Sequence, residues 1–123
     1  MQFTSIRIVT EQLDQMTAFY ERVTGTTANR PAPVFAEITT GGLTLALATP
    51  ATVAMLGAAA PIAGTNRSVV VEFEVADVDA AFAALGHDDV VLPPTTMPWG
   101  NRSALLRDPD GNVVNLFARP TSG

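Results

Sequence analysis

An α+β fold assembled from two copies of one pattern is what the 123-residue sequence predicts. Three observations lead there. Each half opens on a β-rich run, each follows it with apolar residues at helical spacing, and each closes on strands joined by strong turn signals. Length allows one domain with a substantial core.

The first half opens with an alternating stretch from Phe3 to Thr10, read as a strand. Leu13, Met16, Phe19, Tyr20 and Val23 then recur at three- and four-residue spacing, the apolar face of an amphipathic helix. Tyr20 is expected at the margin of that face. Gly25 is placed to stop the helix in a left-handed conformation. Strands are expected at about Val34–Thr39 and Leu43–Ala48, with Gly41-Gly42 as the hairpin turn.

The second half opens at Ser68–Val75, and Asp77 can cap the helix that follows. Val78, Ala81, Phe82 and Leu85 form its apolar face, and Gly86 is expected to end it. Strands fit Asp89–Leu92, Asn101–Arg107 and Asn112–Phe117, and the tail Arg119–Gly123 reads as loose. Asp108-Pro109-Asp110-Gly111 has turn chemistry, its acids serving backbone bonds. Each half thus reads strand–helix–strand–strand, with room for one more short strand. The modules span about 3–50 and 68–119 of a single domain. The connector, 51–67, carries apolar Val53, Met55, Leu56 and Ile62, and is expected to hold a short helix or cover something apolar.

Composition narrows the function classes. The formal charge is −5, there is no Lys, and the seven Arg are scattered. Nucleic-acid binding needs a basic stripe and is disfavoured. No Cys is present, which removes disulfides, thiolate nucleophiles and sulfur-ligated metals. One His cannot build a multi-histidine centre. No apolar run is long enough for a membrane-crossing helix, and Met1-Gln2-Phe3-Thr4 carries no secretory pattern, so a cytoplasmic location is expected. His87, beside Asp88 and Asp89, has no Ser or Cys neighbour and reads as a solvent-facing loop residue.

Three segments together carry a family resemblance. These are Leu13 to Gly25 with Ala18-Phe19-Tyr20, then Phe73-Glu74-Val75-Ala76-Asp77-Val78-Asp79, and finally Trp99-Gly100 followed by Arg107-Asp108-Pro109-Asp110-Gly111-Asn112. The chain resembles the vicinal oxygen chelate superfamily, which includes glyoxalase I, extradiol dioxygenases and bleomycin resistance proteins. That resemblance implies two βαβββ modules forming a curled mixed sheet, a cup, and a homodimer. It also implies four metal-ligand positions, which fall here at Ser5, Thr44 or Ala46, Val70 and Asn115. None of these is an imidazole or a carboxylate, the donors divalent metals favour. No metal and no cofactor is therefore expected, and the metal-free binding branch is the expectation.

Strand periodicity then assigns faces. Ser5, Arg7 and Val9 should share the cup side, with Ile6 and Ile8 beneath the helix. Val70, Glu72 and Glu74 should share it in the second module, with Val69, Val71, Phe73 and Val75 buried. Val113, Asn115 and Phe117 should line it too, with Val114 and Leu116 in the core. Arg7 and Glu72 occupy matching places and either pair or touch ligand. Trp99, after the Pro-rich lead-in Pro93 to Pro98, could stack on a planar ligand. Phe35, Phe117, Met55 and Thr44 complete the ligand-binding candidates.

The expected function is non-catalytic binding and sequestration of a small hydrophobic or aromatic compound, an antibiotic-like natural product, as in self-resistance or drug resistance. A glyoxalase- or dioxygenase-like lyase, or another small-molecule enzyme, is the first alternative, with Glu37, Glu72 and Glu74 as its available acids. A structural or regulatory dimer with a vestigial cup is the second.

Overall fold

In a computed structural model, residues 1–86 and 89–120 are described, and the chain divides into two compact units, Met1–Asn66 and Arg67–Gly123. The first unit orders β1 (Ser5–Val9), α1 (Leu13–Thr24), β2 (Asn29–Ala32), β3 (Phe35–Thr40) and β4 (Leu43–Ala48). The second orders β5 (Val70–Glu74), α2 (Val78–Ala84), β6 (Val90–Thr96), β7 (Arg102–Arg107) and β8 (Val113–Ala118). The α+β class and the two βαβββ modules are both present. The extra short strand is β2 in the first half, whereas β6 in the second extends the predicted run at Asp89–Leu92.

Helix α1 forms because Leu13, Met16, Thr17 and Tyr20 all fall on one face and are all buried. Tyr20 is fully buried, not marginal, and meets Phe19 edge-on at 5.0 Å between ring centres. At the N-terminus no side chain of the preceding Gln12 caps the helix; Thr10 Oγ1 accepts from Gln12 N–H at 2.9 Å instead. Gly25, at φ 68°, closes the other end by donating to Glu21 C=O at 2.8 Å. Helix α2 is shorter. Asp77 caps it by accepting from Ala80 N–H at 3.0 Å. It ends at Ala84, before Gly86, which does not take a positive φ.

Sheet order in the first unit is β1-β4-β3-β2 and in the second β5-β8-β7-β6. In both, the opening strand pairs parallel to the last one and the other pairings are antiparallel. The β3–β4 hairpin turns on Gly41 and Gly42, at φ 62° and 85°, both in the region a two-residue type I′ turn demands.

The sheet prediction needs correcting. The strands do not curl into one mixed sheet enclosing a cup; they form two open four-stranded sheets. Closure requires a sheet's outer strands to find partners. The outer strands β2 and β6 carry Pro31 and Pro93-Pro94, which lack the N–H a further ladder needs, and both run with register shifts. Pro93 and Pro94, expected in a stiff loop before Trp99, thus lie inside an edge strand, and Pro98 lies in the turn after it.

The helix packs on one face of each sheet. In the first unit the buried set is Ala36, Ile38 and Leu47 beneath α1. In the second it is Ala104, Leu106, Val114 and Leu116 beneath α2. The expected burial of Val114 and Leu116 holds. That of Ile6 does not: it is 46% exposed near the end of edge strand β1, while Val9 is buried. Val69, just before β5, is exposed as well. The connector coils into two short 3-10 segments, Pro50–Thr52 and Ala54–Ala59, and buries only Val53 of its four large apolar residues.

Candidate functional site

Direct cross-strand partners share a sheet face, so register locates each candidate side chain. On the first unit's face away from α1, Ser5 lies beside Thr44, and Thr44 beside Thr39, the two threonine hydroxyls 2.8 Å apart. The next row runs Arg7, Ala46, Glu37, Asn29 across all four strands. Glu37 accepts from Asn29 Nδ2 at 3.1 Å. The row after it places half-buried Phe35 between Ala48 and Ala32.

The corresponding face of the second unit is chemically different. Its central row runs Glu72, Asn115, Leu105, Leu92. Asn115 Nδ2 donates to Glu72 Oε2 at 2.9 Å, which fixes the amide's orientation, because a carboxylate only accepts. Asn115 Oδ1 is shielded from solvent and has no hydrogen-bond partner among the described residues. Leaving a buried acceptor unmade costs about 1–3 kcal/mol. The adjoining row places Glu74, Phe117, Ser103 and Thr95 together. Arg119 pairs with Glu74 at 3.1 Å and lies 5.8 Å from the Phe117 ring centre. Arg119, first residue of the tail Arg119–Gly123 that was expected to be loose, is thereby engaged; residues 121–123 lie outside the described residues. On the far side Val113 lies between Val70 and Arg107, whose guanidinium is held by Asp89 at 3.0 Å.

Asn115 lies opposite Glu72, so the residues that meet on the central row are a carboxylate and an amide. Both had been picked out of the sequence, but their contact had not, because parallel register cannot be read from either strand alone. Leu105 and Leu92 were missed for the same reason. Ser103, Arg119 and Asn29 were also not singled out.

The remaining candidates disperse. Trp99 is 69% exposed in the β6–β7 turn, where Gly100 N–H donates to Met97 C=O at 2.9 Å. Met55 is 88% exposed in the connector. His87 lies outside the described residues. Asp108 is buried by its turn: Oδ1 accepts from the N–H groups of Asp110 and Asn112, and Oδ2 from Asn112 Nδ2, each at 2.9 Å. It serves the backbone, as its motif implied. Arg102 grips Asp79 with two bonds of 2.8 Å, and that contact holds the Asp79 carboxyl below the usual carboxylate range. A wide-open depression of about 440 Å³ at the C-terminal end of α1 is lined by Glu21, Arg22, Thr26 and Thr27 among others. None of the candidates lines it.

These donors do not fit a divalent metal. Ser5, Thr44 or Ala46, Val70 and Asn115 offer hydroxyls, alkyl groups and one neutral amide. Among the described residues no group of three or more His, Cys, Asp or Glu converges.

Known proteins resolve the ancestry. The profile of the Glyoxalase/Bleomycin resistance protein/Dioxygenase superfamily matches residues 2–116. A crystal structure of a glyoxalase/bleomycin resistance protein/dioxygenase from Nocardioides is 26% identical, with a TM-score of 0.76 over 100% of this chain and 86% of that one. A protein of unknown function from Agrobacterium tumefaciens str. C58 superposes with a TM-score of 0.80 at 23% identity, covering 96% of this chain and 94% of its own. A lactoylglutathione lyase from Agrobacterium tumefaciens reaches 0.67 at 23% identity, over 95% of this chain and 92% of its own. No curated protein matches significantly. With 115 of its residues inside the family profile, the chain belongs to the Glyoxalase/Bleomycin resistance protein/Dioxygenase superfamily.

Proposed function

We propose that this chain binds a small organic molecule on the second unit's sheet face opposite α2, with Glu72 and Asn115 as its polar anchor. The observation that carries the reading is Asn115 Oδ1, a solvent-shielded acceptor with no partner among the described residues, beside a carboxylate and two half-buried leucines. Ligand sites pair apolar surface with a few directed polar groups, and this row supplies both. Phe117 adds aromatic surface in the next row.

Chemistry on the bound molecule is the form of this reading that the comparisons favour. A structure named glyoxalase/bleomycin resistance protein/dioxygenase and a lactoylglutathione lyase are among the similar structures. Glu72 is the acid placed to take a proton there. Sequestration without turnover rests on a different observation, the lack of fit between the donor set and a divalent ion. A homodimer is the proposed assembly for either form.

One experiment separates them. The purified protein is incubated with a library of small aromatic compounds, with and without added divalent metal. Retained compounds are found by native mass spectrometry, then recovered and analysed by chromatography. Retention with the compound altered establishes an enzyme. Retention with the compound unchanged establishes sequestration, and failure to retain any compound defeats the proposal.

A further inference from the structure

We infer that the Glu72–Asn115 pair selects a planar cation bearing N–H groups, an amidinium or guanidinium joined to an apolar body; the inference rests on the binding reading above. The pair's free hydrogen-bonding capacity is mostly acceptor. Asn115 spends one of its two amide hydrogens on Glu72 and leaves the shielded Oδ1 without a partner among the described residues, while Glu72 carries only acceptors. A ligand that satisfies these oxygens must bring donors.

Charge points the same way. The cations whose strands flank the pair are already taken, Arg119 by Glu74 and Arg107 by Asp89. Among the described residues Glu72 pairs with no cation. The chain's −5 charge adds a weak attraction for positive ligands. An amidinium presents two N–H groups in one plane and can reach a carboxylate oxygen and the neighbouring amide oxygen together. Beyond the pair, Leu105 and then Leu92 continue the same row. At strand spacing they extend about 10 Å from Asn115, room for one ring.

Benzamidine is the probe, with benzamide and benzoate as neutral and anionic counterparts of nearly the same outline. Binding is followed by calorimetry and by the amide NMR signals of Glu72, Leu105 and the Asn115 side chain. Benzamidine should bind weakly, at about millimolar concentration as expected of a fragment, and should shift the Asn115 side-chain signals. Glu72→Gln should weaken it tenfold or more, and Asn115→Leu should weaken it while leaving the fold's spectrum intact. Benzamide should bind at least tenfold more weakly than benzamidine, and benzoate not at all. Equal shifts from all three probes would overturn the cation inference and leave small-molecule binding standing. Silence from benzamidine, or binding that Glu72→Gln does not change, would also overturn it; the binding reading would then still be judged by its own library screen.

Discussion

The two units share an order of elements and a strand topology, yet their exposed faces do different things. Beneath the helices both carry alkyl side chains that interlock: Ala36, Ile38 and Leu47 in one unit, Ala104, Leu106, Val114 and Leu116 in the other. On the opposite face of the first unit the threonine hydroxyls bond each other and Glu37 is met by the Asn29 amide. Glu72 is met by the Asn115 amide in the same way, but among the described residues the second unit leaves the shielded oxygen of that amide without a donor. The helix side of the module fixes the architecture, and the other side is free to acquire a ligand.

Three perturbations would break or sharpen that contrast. The largest is in the shared element, the core. Tyr20→Ala should lower unfolding stability by about 3–5 kcal/mol and Leu116→Ala by about 2–5 kcal/mol in urea titrations. If either cost less than about 1 kcal/mol, the helix face would not be what holds that unit.

A smaller effect separates the turns. The first unit's hairpin turns on glycine backbone alone, whereas the second's β7–β8 turn hangs on the buried carboxylate of Asp108. Asp108→Ala strands the N–H groups of Asp110 and Asn112 and should cost about 2–3 kcal/mol, read by the same titration.

The smallest concerns the pair that ties α2 to β7. Arg102 depresses the Asp79 pKa, so the unfolded chain binds the proton more readily. The pair's contribution is present above about pH 5 and is lost as pH falls through the lowered folded value, beneath the ordinary carboxylate value of about 3.9. Asp79→Asn should therefore narrow its stability gap to the parent protein as the solution is acidified. Both groups are solvent-exposed, so the gap should be slight.

Much of the fold could be read from local chemistry. The helix-spaced residues of α1, the Asp77 cap and the Gly41-Gly42 turn each act within a few residues, and each formed where expected. What depends on pairing between distant strands was less legible. Alternation correctly placed Glu72 and Asn115 on the face opposite their helix, yet their contact needs the parallel β5–β8 register, set by packing across 43 residues. Closure into a cup was inferred from resemblance alone, and it conflicts with the prolines on one outer strand of each sheet, β2 and β6. Trp99 had the right chemistry for a ligand contact but sits in a hairpin turn whose surroundings the sequence does not define.

The most direct test is a crystal structure of the protein with a compound retained in the library screen. The account predicts density over Glu72, Asn115 and Leu105, with a ligand hydrogen-bond donor within about 3.2 Å of Asn115 Oδ1. A compound bound instead along the Arg7–Glu37 row of the first unit, with Asn115 Oδ1 still bare, would contradict it.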